Sequence, residues 1–118
     1  MNAAYEPVIT LAMHGPSGPS REVETVIDTG FTGYLTVTAA LATELGLALE
    51  GTSRATLADG SEVTFDVYDV AVVWDGQTRY VLADAADTTP LVGMRLLDDH
   101  DLSIQVRSGG RVLIQAIE

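Results

Sequence analysis

The chain has 118 residues, 47% of them hydrophobic. That is enough for one compact domain over residues 1–118 with a buried core, and too apolar for a disordered chain. Six basic against seventeen acidic residues give a formal net charge of −11, which repels phosphate backbones and anionic lipid, so neither nucleic acid nor a membrane is an expected partner. The absence of cysteine excludes a disulfide scaffold, a thiol nucleophile and a thiolate metal site.

The opening "MNAAYEPVIT" carries no basic stretch followed by an apolar core, and no apolar run approaches the roughly 20 residues of a membrane helix, so a cytoplasmic location is expected. "PVITLAMH" (Pro7 to His14) reads as a strand, and "GPSGPSRE" (Gly15 to Glu22) is a turn cluster too short to link domains. "EVETVID" alternates Val23, Thr25 and Ile27 against Glu22, Glu24 and Val26, completing a hairpin and delivering Asp28 to a loop at the strand's end. After "TGFTG" comes a short apolar strand, Tyr34 to Val37. In "TAALATELGL", Thr38 is placed to cap a helix that Gly46 stops, with Leu41 and Leu45 on one face.

The second half is mostly strand. "TSRATLA" leads into a turn at Asp59 to Ser61, then comes the long run "EVTFDVYDVAVVWD", a tight turn near Gly76, and "TRYVLADA". An apolar run ends at Gly93, a short helix is expected to hold Met94, Leu96 and Leu97, and a strand to hold Leu102, Ile104 and Val106. A last hairpin through Ser108-Gly109-Gly110 reaches "RVLIQAI". Each half thus runs from apolar strand to glycine-containing loop to short helix, a weak echo of a duplicated unit.

"VIDTG", "LADGSEV" and "PLVGMRLL" occur in the order and spacing of the retropepsin-like aspartic proteases, which the chain resembles over nearly its whole length. More narrowly it resembles the small single-domain bacterial members, with an Asp-Thr-Gly-Phe-Thr-Gly loop and an Ala-Asp-Gly hairpin. Asp-Thr-Gly alone is a common tripeptide. The specificity lies in the combination: an apolar strand before it, the hairpin about 30 residues later, and Leu91-Val92-Gly93 about 30 beyond that. The resemblance implies an all-β, closed acid-protease barrel with one or two short helices, acting as a homodimer on peptide or protein substrates without cofactor or metal.

Aspartic-type hydrolysis uses two carboxylates that share one proton. The ionised one draws a proton from water while the protonated one hydrogen-bonds the scissile carbonyl, and mutual repulsion keeps a single proton on the pair over a broad acid window. Asp28 is the one acid here in an apolar-strand, Thr-Gly setting, so its most economical partner is the Asp28 of a second chain across a two-fold axis. The resemblance assigns Thr29 to a hydroxyl lattice beneath the pair and Gly30 to close backbone approach, its N–H directed at the carboxylate. It makes Ala58, Asp59, Gly60 and Ser61 the tip of a flap closing over an extended peptide, and packs Leu91, Val92 and Gly93 behind the catalytic loop. Asp59 adds a charge where viral flap tips are richer in glycine, and Phe31 stands where viral proteins often carry a small residue.

Plainer readings stand beside these. Any Asp-Gly makes a surface hairpin, and Leu91, Val92 and Gly93 are core whatever the function. The acids of "DDHD" (Asp98 to Asp101) point in different directions and read as a solvated corner rather than a hard-metal site, although metal-assisted hydrolysis there is a competing enzyme reading. His14 and His100 are too few and unsupported for zinc. Tyr68 and Trp74 read as packing. A third possibility is a non-catalytic dimeric peptide-binding module with the same fold.

Overall fold

In the computed structural model, residues 1–16 and 18–118 are described. The alternating apolar pattern produces strands β1 (Val8–His14) and β2 (Arg21–Ile27), which pair antiparallel and bury Leu11, Met13, Val23 and Ile27 on one side. β3 (Leu35–Val37) is buried throughout. Next comes α1 (Ala39–Leu45), whose Thr38 hydroxyl accepts the Leu41 N–H at 3.1 Å and whose Gly46 adopts φ +63°. Cap and stop fall where the residue types place them. The helix buries Ala42 and Leu45, with Leu41 packed against the same core.

β4 (Ala48–Thr56), β5 (Glu62–Trp74) and β6 (Gln77–Ala85) follow as an antiparallel meander, and β7 (Leu91–Val92) slots between β2 and β3. The β5–β6 turn uses Asp75 and Gly76, both at positive φ (51° and 75°), the conformation favoured by right-twisted hairpins. The seven-stranded sheet runs β1-β2-β7-β3-β6-β5-β4 and closes through an additional β1–β5 pairing. The length of β5 makes closure possible: along one edge its first part, Glu62 to Asp69, takes β4, and Ala71 and Val72 take β1. Six strands form the closed barrel, and β4 extends beyond it. β8 (His100–Ile104) and β9 (Val112–Ala116) make a separate two-stranded sheet whose Leu102, Val112 and Ile114 pack onto the barrel core. The fold is all-β with one short helix among the described residues.

Two expectations need correction. Met94 to Asp99 form turns rather than a second helix: the Leu96 N–H donates to Gly93 O at 3.2 Å and the His100 N–H to Leu97 O at 3.0 Å, bonds that reach back three residues and not the four of an α-helix, while the Met94 and Arg95 amides donate to Phe31 O at 2.8 Å and Gly33 O at 3.1 Å. Asp99 at φ +63° ends any continuation. The echo between the two halves therefore stops at the glycine. Val106 lies outside β8 and is 72% exposed, since the chain has already turned toward Arg111, whose carbonyl accepts the Gln105 N–H at 2.8 Å. No helix among the described residues is long and apolar enough to cross a membrane.

Candidate active site

Asp28 is half-buried at the point where β2 leaves the barrel. Its N–H donates to Val92 O at 2.9 Å, and its carbonyl accepts the Phe31 N–H at 3.1 Å. Its Oδ1 accepts the Gly30 N–H at 2.9 Å, so the residue two positions on holds the carboxylate in the Asx-turn geometry open to short polar side chains. Thr29 is exposed beside it.

The loop is clamped from behind. Gly93 N–H donates to Tyr34 O at 3.0 Å, and the Met94 and Arg95 amides continue the same seam along the loop. Gly93 is buried so closely that an added Cβ would lie 2.1 Å from Gly33 O and 2.7 Å from Phe31 Cδ2. Phe31 therefore packs over the contact between two glycines. The Arg95 guanidinium lies 5.9 Å from the centre of the Tyr34 ring, over the loop's far end. Thr36 is 6% exposed, and its hydroxyl accepts the Leu91 N–H at 2.9 Å, anchoring β7 to β3.

Ala58, Asp59, Gly60 and Ser61 lie at the end of the β4–β5 hairpin. Residues 52–64 are exposed on both faces, so this arm stands clear of the barrel. Leu57 N–H donates to Ser61 O at 2.7 Å and Gly60 N–H to Leu57 O at 2.9 Å, with Gly60 at φ +86°. Asp59 Oδ1 accepts both the N–H and the hydroxyl of Ser61, at 2.9 and 2.6 Å, and these bonds hold its carboxyl below the usual aspartate range. At the arm's root the β4–β5 register slips between Leu49 and Gly51. There the hydrogen-bonded, like-charged carboxyl of Asp69 raises that of Glu50. Asp84 on β6 is raised by burial.

The acidic corner is built differently from a ligand set. His100 Nε2 accepts the indole N–H of Trp74 at 3.2 Å, and its Nδ1 lies 2.7 Å from Asp98 O, so both ring nitrogens are engaged. Trp74 belongs to the core, and Tyr68 is partly buried against that core.

No protein-family model matches the chain, and no curated protein sequence matches it. Among solved structures it is similar to the EIAV protease complexed with the inhibitor HBY-793, at a TM-score of 0.63 and 16% identity over 84% of this chain and 91% of that one. The fold is retropepsin-like. In this retropepsin-like barrel, Asp28 and the glycine-backed segment Leu91-Val92-Gly93 are brought together, whereas Ala58 to Ser61 stay apart on their arm. Phe31, Gly33, Thr36 and Arg95 were not singled out by sequence as supports of the loop. A signal existed for one of them: a threonine inside the apolar "YLTV" strand has a buried hydroxyl to satisfy.

Proposed function

We propose that the chain is an aspartic endopeptidase whose dyad is formed by Asp28 from each of two copies, within a domain spanning residues 1–118. The observation that carries this reading is the Asp28 loop. A single carboxylate is held at a strand end by the Gly30 N–H, on a backbone whose own N–H donates to the Val92 carbonyl, within a retropepsin-like fold and with no second acid in its own loop. One carboxylate cannot both accept and donate the protons that peptide hydrolysis requires, and two-fold symmetry supplies the other.

In the reaction, the ionised Asp28 takes a proton from water as the water oxygen attacks the scissile carbonyl carbon. The protonated Asp28 of the partner subunit donates to the carbonyl oxygen. The tetrahedral intermediate collapses as the C–N bond breaks and a proton passes to the leaving nitrogen. Thr29, exposed in the single chain, becomes the hydroxyl support between the two loops, and Ala58 to Ser61 form the flap that excludes water over an extended peptide. The β8–β9 sheet, with open edges and the apolar run "RVLIQAI", is the surface on which two copies pair.

The test is a peptide-library digest from about pH 3 to about pH 7, the span over which carboxylate pairs titrate. Asp28→Asn is expected to lower cleavage by at least about a hundredfold while preserving the dimer and keeping or raising Tm, because it removes repulsion between two facing carboxylates. Cleavage unchanged in Asp28→Asn, or robust cleavage by a strict monomer in light scattering, removes the mechanism. Peptide binding without cleavage by wild type leaves the binding module in its place.

A further inference from the structure

We infer that Asp59, at the apex of the β4–β5 arm, selects substrates with a lysine or arginine side chain close to the scissile bond. This assignment rests on reading Asp28 as half of a proteolytic dyad and the arm as its flap.

From Ala55 to Ser61 the arm carries one ionisable side chain, Asp59. The nearest other charges, Arg54 and Glu62, meet diagonally across the strands at 3.6 Å and offset each other. The tip therefore presents one uncompensated negative charge. Two exposed aliphatic side chains lie on the same arm, Leu57 two residues before Asp59 at 46% exposed and Val63 further down β5 at 40% exposed. A carboxylate set beside exposed aliphatic groups matches a long cationic side chain, whose methylene stem lies on the apolar surface while its head meets the charge.

The carboxylate is also oriented. Both Ser61 donors converge on Oδ1, which leaves Oδ2 for a donor from outside the turn. The same bonds keep Asp59 ionised into the acid range in which a carboxylate dyad holds its single proton. Two flaps closing over one dyad bring two such charges toward a shared cleft, and a cationic side chain between them relieves the repulsion that an uncharged peptide leaves in place. The net charge of −11 adds a long-range pull on the same class of peptide.

The turn itself supplies the control. Asp59→Asn keeps an acceptor oxygen for both Ser61 donors and removes only the charge, so a purely structural Asp59 tolerates it. The experiment measures fluorescence anisotropy of two matched pools of short synthetic peptides, apolar at alternate positions and differing only in lysine or glutamine at the centre. Each is titrated with the full chain carrying Asp28→Asn, so that binding is read without turnover. At about 0.15 M salt, where the long-range pull of the net charge is screened, the lysine pool is expected to bind about five- to tenfold tighter, the range of a charge-assisted contact. Adding Asp59→Asn brings the pools to the same affinity. Equal affinities before that change, a preference that survives it, or no binding of either pool overturns the inference. Wild-type cleavage of both pools with the same kcat/KM overturns it too, while proteolysis stands. A lysine preference that depends on Asp59, without cleavage by wild type, retains charge selection and sinks proteolysis.

Discussion

The Asp28 loop and the β4–β5 turn hold their carboxylates with the same local bond, yet only one of them is built into the body of the protein. In each, Oδ1 accepts the N–H two residues on at 2.9 Å. Around Asp28, further bonds reach across the fold to Val92, Gly93, Met94 and Arg95. Around Asp59 the bonds stay within Leu57 to Ser61. A short-range Asx bond sets where a carboxylate points. Long-range backbone bonds and packing decide how tightly that position is kept, and a reacting group needs it kept to within about half an ångström. The tip lacks them, and residues 52–64 are exposed on both faces.

The two glycines give the most direct test of this contrast. Gly93→Ala places a methyl group 2.1 Å from the Gly33 backbone oxygen, which also accepts the Arg95 N–H. The expected loss is about 3 kcal/mol, or more than about 10 °C in Tm. Gly60→Ala meets nothing within 4 Å and bears only its φ of +86°, an expected cost of about 1 kcal/mol. Thermal unfolding of the two variants checks this, and equal losses would mean that the loop is no better braced than the tip.

The next effect is at Thr36, where Thr36→Val keeps shape and removes the acceptor for the Leu91 N–H. A buried donor left without a partner costs about 1–3 kcal/mol. Faster hydrogen exchange should concentrate at Leu91 and Val92 and spare residues 56–62. Exchange that rises at the tip instead would tie the two regions into one cooperative unit.

These sites also show where sequence reading succeeds and where it stops. Thr38 and Gly46 announce a helix's ends because cap and stop depend on residues a few positions apart, and Asp75-Gly76 marks its turn for the same reason. The meander of β4, β5 and β6 follows from alternation and a turn residue. Met94 to Asp99 misled because an apolar pattern says which side chains are buried, not which backbone bonds form between them; here the bonds close over three residues, and the Met94 and Arg95 amides join the Asp28 loop. The β1–β5 closure joins Met13 to Val72, a pairing with no local signature. The two Asp turns are the sharpest case. Asp-Thr-Gly and Asp-Gly-Ser make the same bond, and only the surroundings, absent from either tripeptide, separate a braced loop from a free one.

The smallest expected effect compares two acids whose surroundings act in opposite directions. Asp84 is held above the ordinary aspartate value of 3.8 by burial, and Asp59 below it by Ser61. A raised carboxyl means the fold prefers the protonated form. Its ionised form therefore destabilises the protein at neutral pH, and the penalty fades as pH falls through the raised pKa and below 3.8. A lowered carboxyl contributes stability that is fully present above 3.8 and is lost as pH falls through the depressed value. Asp84→Asn should thus raise Tm at pH about 7 and leave it unchanged near pH about 3, while Asp59→Asn should lower Tm slightly at pH about 7 and converge with wild type only below pH about 3. The exposed position of Asp59 makes its change the smaller of the two, since solvent screens what an exposed charge contributes. Tm followed against pH for both variants tests the pair. If the two difference curves share one sign at neutral pH, the environments of Asp84 and Asp59 do not differ as burial and the Ser61 bonds require.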